Sequence, residues 1–216
     1  MRERPLLFSG PMIRALLAGR KTITRRIVTV PWKGSRRALP YEPYFVESDG
    51  KLMVDDDAFD DGGGTGWREY AEYVGTYRPG DRLWVRETFA ANVPGCEHQG
   101  GYAYRADHND PRGDGPANPM RWTPSIFMPR KASRLTLQVT GVRVERLQQI
   151  TEDGARAEGV PGDTVWGEWM AGRPSHKAAF VHLWDEINGH RAGWCDNPWV
   201  WVVEFQRLSG AQRGAA

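Results

Sequence analysis

Apolar positions along this chain fall into short alternating runs separated by turn-forming residues, and helical spacing appears in only three places. Residues 5–8 form the first predicted strand. Ser9 then offers a helix N-cap with Pro11 in the first turn, and Met12, Ile13, Leu16 and Leu17 make an apolar stripe that Gly19 ends. Thr22 to Val30 is rich in β-branched residues and predicts a strand leaving that turn. Further along, Arg82 to Phe89 alternates so that Leu83, Val85 and Glu87 share one face, and Tyr102 to Ala106 predicts another strand. Arg134 to Leu147 carries Leu135, Leu137 and Val139 on one face and continues through Val142 and Val144, with a bend at Gly141. Thr151 caps a short helix through Ala157, with Glu152 and Asp153 suited to its first turn. A second helix spans Ser175 to Asn188 and buries Phe180, Leu183, Trp184 and Ile187, and Pro198 to Arg207 closes the chain as a strand.

Two stretches interrupt this pattern. Residues 31–78 lose periodicity, contain Gly62-Gly63-Gly64 and predict an insertion of loops with one hairpin; residues 90–120 make a second insertion, dense in Asp, Asn, Pro and Gly after Asp107. Short strands, frequent turns and few peripheral helices predict a mainly β chain of α+β type, closed as a barrel. The 216 residues are expected to form one domain, 1–216, ending in a disordered tail at 209–216.

Charge changes the picture more than composition does. The net charge of +2 conceals ten cations in residues 1–40 against the single acid Glu3, followed by a stretch from Glu42 to Glu69 with nine acids against Lys51 and Arg68. A concentrated basic segment attracts phosphates, so nucleic acid is a partner class to test, set against arginines that simply solvate a surface. No apolar run approaches a membrane span, and Leu6-Leu7-Phe8 is too short for a signal-peptide core, so a cytoplasmic location is expected. Cys96 and Cys195 are then expected as free thiols. Cys96, Glu97, His98, Asp107 and His108 have no standard zinc spacing, so neither a metal nor any other cofactor is expected.

The densest chemistry lies in Leu17-Ala18-Gly19-Arg20-Lys21-Thr22-Ile23-Thr24-Arg25-Arg26, where a lysine, two threonines and three arginines follow a helix stop. Lysine shifts its proton affinity readily on burial, and a neighbouring hydroxyl is a candidate nucleophile. Gly19-x-Lys21-Thr22-x-Thr24-x-Arg26 resembles the signature of the ASCH domain, a small β-barrel family related to the PUA RNA-binding fold. Gly80-Asp81-Arg82-Leu83-Trp84-Val85-Arg86-Glu87-Thr88-Phe89, Pro124 to Arg130, and Trp184-Asp185-x-Ile187-Asn188 with Asn197 to Trp201 resemble further blocks of a subset found in phages and prophages. Together these blocks reach from residue 4 to about residue 208.

The resemblance implies a PUA-like closed barrel whose basic cleft binds RNA or a modified nucleoside, with Arg20, Lys21, Arg25, Arg26, Arg86 and Glu87 as the binding set. A second implication is amidohydrolysis of N4-acetylcytidine-type nucleosides: Thr24 attacks the amide carbonyl, Lys21 takes its proton, and Glu158 orients the lysine or relays the proton. Ribonuclease activity is a third. The family's phage setting also allows a host RNA-processing or defence protein as partner. The bland reading of Glu87 is a salt bridge to Arg26 that holds the motif in shape; the alternative is a carboxylate that reads a nucleobase amine.

Overall fold

The computed structural model describes residues 2–32, 35–38, 44–46, 51–55, 67–69, 77–96, 100–108, 121–162 and 172–208. The strands are β1 (Glu3–Leu7), β2 (Ile23–Ile27), β3 (Thr29–Trp32), β4 (Ser35–Ala38), β5 (Tyr44–Val46), β6 (Lys51–Asp55), β7 (Trp67–Glu69), β8 (Arg82–Arg86), β9 (Phe89–Ala91), β10 (Tyr102–Tyr104), β11 (Thr136–Arg146) and β12 (Trp199–Arg207). Three α-helices are described: α1 (Gly10–Leu17), α2 (Glu152–Ala157) and α3 (His176–Ala192). The chain divides into two compact units that interleave in sequence. One comprises Met1–Lys21, Gly80–Gln138 and Gln206–Ala216; the other comprises Thr22–Pro79 and Val139–Phe205.

In the first unit β1 runs parallel to β8, from Glu3↔Arg82 to Leu7↔Arg86, and the opening of β11 pairs antiparallel to β8 at Thr136↔Trp84. β8 is therefore a central strand, which explains why Leu83, Trp84 and Val85 are all buried. α1 starts at Ser9, whose carbonyl accepts from Ile13, although the Ser9 hydroxyl makes no cap bond. It buries Ile13, Ala15 and Leu16 and stops at Gly19, whose φ of 71° lies in the left-handed region that favours glycine. β9 and β10 form a small hairpin over a cluster of Phe89, Tyr104, Met128 and Ala132.

In the second unit β12 pairs antiparallel with β2, from Val200↔Ile27 to Glu204↔Ile23. Its core gathers Leu147, Ile150, Ala155, Phe180, Trp184, Val200 and Val202, and each large side chain buried there contributes about 1.5–3 kcal/mol. Thr151 caps α2 as predicted, its Oγ1 accepting from Gly154 N; Ser175, expected as the first residue of α3, is its N-cap, with Oγ accepting from Ala178 N. Where one hairpin was expected between residues 31 and 78, the backbone forms the β3–β4 hairpin and a three-stranded β5–β6–β7 sheet.

The closed barrel is not found. Among the described residues the fold is α+β, and its main sheet is mixed, with the order β1-β8-β11-β12-β2 and no ladder joining β1 to β2. Alternation identifies a strand with a buried face but not its partner. The parallel β1–β8 pair also needs a crossover that a run of hairpins would not provide. Ile187 departs from expectation too: it is 44% exposed, because the buried positions of α3 are its first two turns, Trp184 and Ala192. The acidic run 56–66, Glu97, His98, the loop 109–120 and the tail 209–216 lie outside the described residues.

Candidate functional site

In the first unit the turn after α1 folds back on the helix. The backbone N–H groups of Arg20 and Lys21 both donate to Ala15 O, at 2.9 and 3.2 Å, which turns Lys21 inward. Lys21 is 2% exposed, and its ammonium lies 5.3 Å from the centre of the Phe8 ring. Phe8 N donates to Arg86 O, extending the β1–β8 ladder one step, so Phe8 runs beside Glu87 on the buried face that also carries Leu6 and Val85.

Glu87 is 2% exposed and takes Arg134 in both carboxylate oxygens, from Nε at 2.9 Å and Nη2 at 3.0 Å. The same guanidinium reaches Asp107 at 2.6 and 2.9 Å and lies 4.1 Å from the Tyr104 ring centre. Burial pushes the Glu87 carboxyl above its ordinary range against the pull of Arg134. For Arg134, burial works against the charge, but the bonds to Glu87 and Asp107 outweigh it and raise its pKa further. The bidentate contact opposes the desolvation that burial imposes on both groups. Arg86 lies 4.7 Å from the Trp84 ring centre, and its buried Nε–H makes no hydrogen bond.

In the second unit Thr22 pins the motif in place: its N–H donates to Ala157 O at the end of α2, and its carbonyl accepts from Phe205 N in β12. Thr24 and Arg25 follow on β2, opposite Val203 and Val202, and both are buried. Arg25 donates to Glu145 Oε1 through Nε at 3.0 Å and Nη2 at 2.7 Å, and to Glu158 Oε1 through Nη1 at 3.3 Å. Glu145 also receives Arg143 Nε at 3.3 Å, and Arg143 in turn holds Glu204. Charges of alternating sign thus run from Glu204 through Arg143, Glu145 and Arg25 to Glu158, the C-cap of α2. Gly154 permits this approach, since a Cβ there would lie 3.2 Å from Arg25 Nη2.

The structure places Arg20, Lys21, Arg86 and Glu87 in the first unit and Thr24, Arg25, Arg26 and Glu158 in the second. It brings Arg25 onto Glu158 and Lys21 over the ring of Phe8. The carboxylate oxygens of Glu87, assigned to Arg26 from the sequence, are both taken by Arg134. Sequence reasoning missed Glu145, Arg134 and Asp107, whose partners stand 120, 47 and 27 residues away. A weak signal existed for Glu145 alone, because Arg143 and Glu145 alternate onto one face of a strand. Six polar or charged side chains are buried among the described residues: Lys21, Thr24, Arg25, Asp81, Glu87 and Glu158. Five of them belong to the set drawn from the motifs, and the sixth, Asp81, accepts the backbone N–H of Arg2.

His108 stacks against Trp122 with ring centres 5.3 Å apart, Cys96 and Cys195 are unbonded thiols, and no cluster of three metal-ligating side chains occurs among the described residues. None of the described helices is long and apolar enough to cross a membrane. No family model, no curated protein and no solved structure matches the chain.

Proposed function

We propose that this protein recognises RNA or a modified nucleoside through the ASCH-type segment Gly19–Arg26. The observation that carries the reading is the identity of its buried polar groups. Desolvating a lysine, an arginine and two glutamates costs several kcal/mol per ion unless each is matched, so a chain keeps such groups inside chiefly where they act. Arg25 pairs with both Glu158 and Glu145, which gives that cluster a scaffolding part; Lys21 and Thr24, buried in the same segment, supply the ammonium and hydroxyl types that would meet a ligand's carbonyl or phosphate.

Deacylation of an N4-acylated cytidine is the second reading, favoured by the burial of all three proposed reactive residues, Lys21, Thr24 and Glu158. In that reading Thr24 Oγ adds to the amide carbonyl as Lys21 takes its proton, the C–N bond breaks with that proton passing to the departing cytosine amine, and water then hydrolyses the acyl-threonine to release the acid.

One experiment tests both readings. Purified protein is offered N4-acetylcytidine, with product followed by chromatography, and a single-stranded RNA at about 50 and about 200 mM salt. Lys21→Arg, Lys21→Ala, Thr24→Ala and Glu158→Ala are measured beside the wild type. Binding that falls steeply with salt and survives in Lys21→Arg supports recognition, whereas turnover abolished in Lys21→Arg supports the enzyme. A folded wild type that neither binds nor turns over ends both.

A further inference from the structure

The first residue of α2 caps the first turn of α3. Glu152 accepts from Ser175 Oγ at 3.1 Å, from Lys177 N at 3.1 Å and from His176 N, so its carboxylate is saturated by the helix start. A cleft of about 540 Å³ opens at this junction, lined by Glu152, Arg156, Gly162, Arg173, Ser175 and His176 together with Pro174. His176 has a defined tautomer there. Nδ1 lies 2.6 Å from Val160 O, which can only accept, so Nδ1 carries the proton and Nε2 is left to accept from Arg156 Nε at 3.4 Å. Gly162 allows the imidazole to sit this deep, since a Cβ at that position would lie 3.0 Å from the ring.

The arginines carry the chemistry. Arg156 is held along two edges, by His176 and by Asp153 Oδ1 at 3.0 Å, and its Nη2 donates to no described residue. Asp153 and Arg156 are both mostly exposed, so water screens that pair and it competes weakly with a ligand. Arg173 is exposed and bonds to no described residue. With the acid of the cleft spent on α3, two guanidinium groups face it, and their fork geometry suits the oxygens of a phosphate.

We propose that this cleft binds the phosphate group of a small phosphomonoester, with Arg156 and Arg173 as its two cationic arms. The volume is sufficient for a ligand of nucleotide size. The cleft is lined by none of the residues Gly19–Arg26, and the proposal holds whichever ligand that motif takes.

The test is a titration of the full chain with inorganic phosphate, adenosine 5′-monophosphate and adenosine, followed by calorimetry and by the ring resonances of His176. Phosphate and the monophosphate are expected to bind and to shift His176, and adenosine to do neither. Arg156→Ala and Arg173→Ala each weaken the monophosphate by about tenfold. Both side chains are exposed, so thermal melting should match the wild type. The proposal is overturned if phosphate at about 10 mM leaves the wild-type His176 resonances unmoved. Equal affinity in the two variants, or adenosine binding as tightly as its monophosphate, would overturn it equally.

Discussion

Replacing Arg134 should cost far more than neutralising its partner Glu87, and the difference should depend on pH. In Arg134→Met the Glu87 carboxylate stays inside the protein at 2% exposure and loses the two bonds of 2.9 and 3.0 Å that hold it. Removing one member of a buried pair costs about 3–5 kcal/mol, and the partly exposed Asp107 arm adds no more than about 1 kcal/mol. Arg134 is itself partly open to solvent, which favours about 3–4 kcal/mol, or a fall in melting temperature of roughly 6–16 °C for a chain of this size. In Glu87→Gln the charge that burial opposes is gone and the amide oxygen still accepts from Arg134, so about 1 kcal/mol or less is expected.

The pH sign follows from burial. Glu87 has a folded-state pKa above its unfolded value, so its protonated form favours folding, and that contribution is lost as pH rises through the raised value. Without Arg134 the upward shift grows. The Arg134→Met deficit should therefore be largest near neutrality and shrink as the solution is acidified towards the pKa of Glu87. Urea unfolding followed by tryptophan fluorescence at about pH 5 and about pH 8 measures it. A deficit identical at both pH values, or a Glu87→Gln cost equal to that of Arg134→Met, would refute the reasoning.

Three further outcomes are expected. Gly154→Ala puts a methyl group 3.2 Å from Arg25 Nη2 and should cost about 1–3 kcal/mol, read from denaturant midpoints, with no change in Lys21→Ala backgrounds. Arg25→Met removes the guanidinium shared by Glu145 and the buried Glu158 and should cost about 3–5 kcal/mol, while Glu145→Gln, which leaves Arg25 paired with Glu158, costs less in the same assay. Burial resists the charge on Glu152, but the N–H groups of His176 and Lys177 and the Ser175 hydroxyl outweigh it and hold its pKa below the ordinary glutamate value. Glu152→Gln should therefore lose about 0.5–1 kcal/mol at pH 7, and this loss should fade as pH falls through that lowered value.

Local chemistry was readable in the sequence and long-range pairing was not. Thr151, Ser175 and Gly19 mark their helix ends because a cap depends on residues within one turn. Alternation places Leu83, Val85 and Glu87 on one face, but the burial of Trp84 between them comes from the central place of β8, which alternation does not show. Arg25 finds Glu145 on β11 and Glu158 at the end of α2, Glu87 finds Arg134 just before β11, and nothing near Arg25 or Glu87 in sequence indicates which distant charge the fold will bring. The barrel failed for the same reason: strands were found, but the parallel pairing of β1 with β8 has no local signature. Ile187 shares the apolar spacing of Phe180 and Trp184, and periodicity does not say where the packing partner of a helix ends.

The pairing of β2 with β12 governs how the protein can be made. β2 holds Thr24 and Arg25, and its ladder partner spans Trp199–Arg207, separated from it by more than 170 residues of chain. A ribosome completes every other described element before that partner emerges. The motif strand must wait without its ladder partner while the intervening residues are made, and closing so long a loop slows folding and invites aggregation. A nonsense mutation or proteolytic clip near residue 198 would leave every earlier element in the chain yet deprive β2, with Thr24 and Arg25, of its ladder partner.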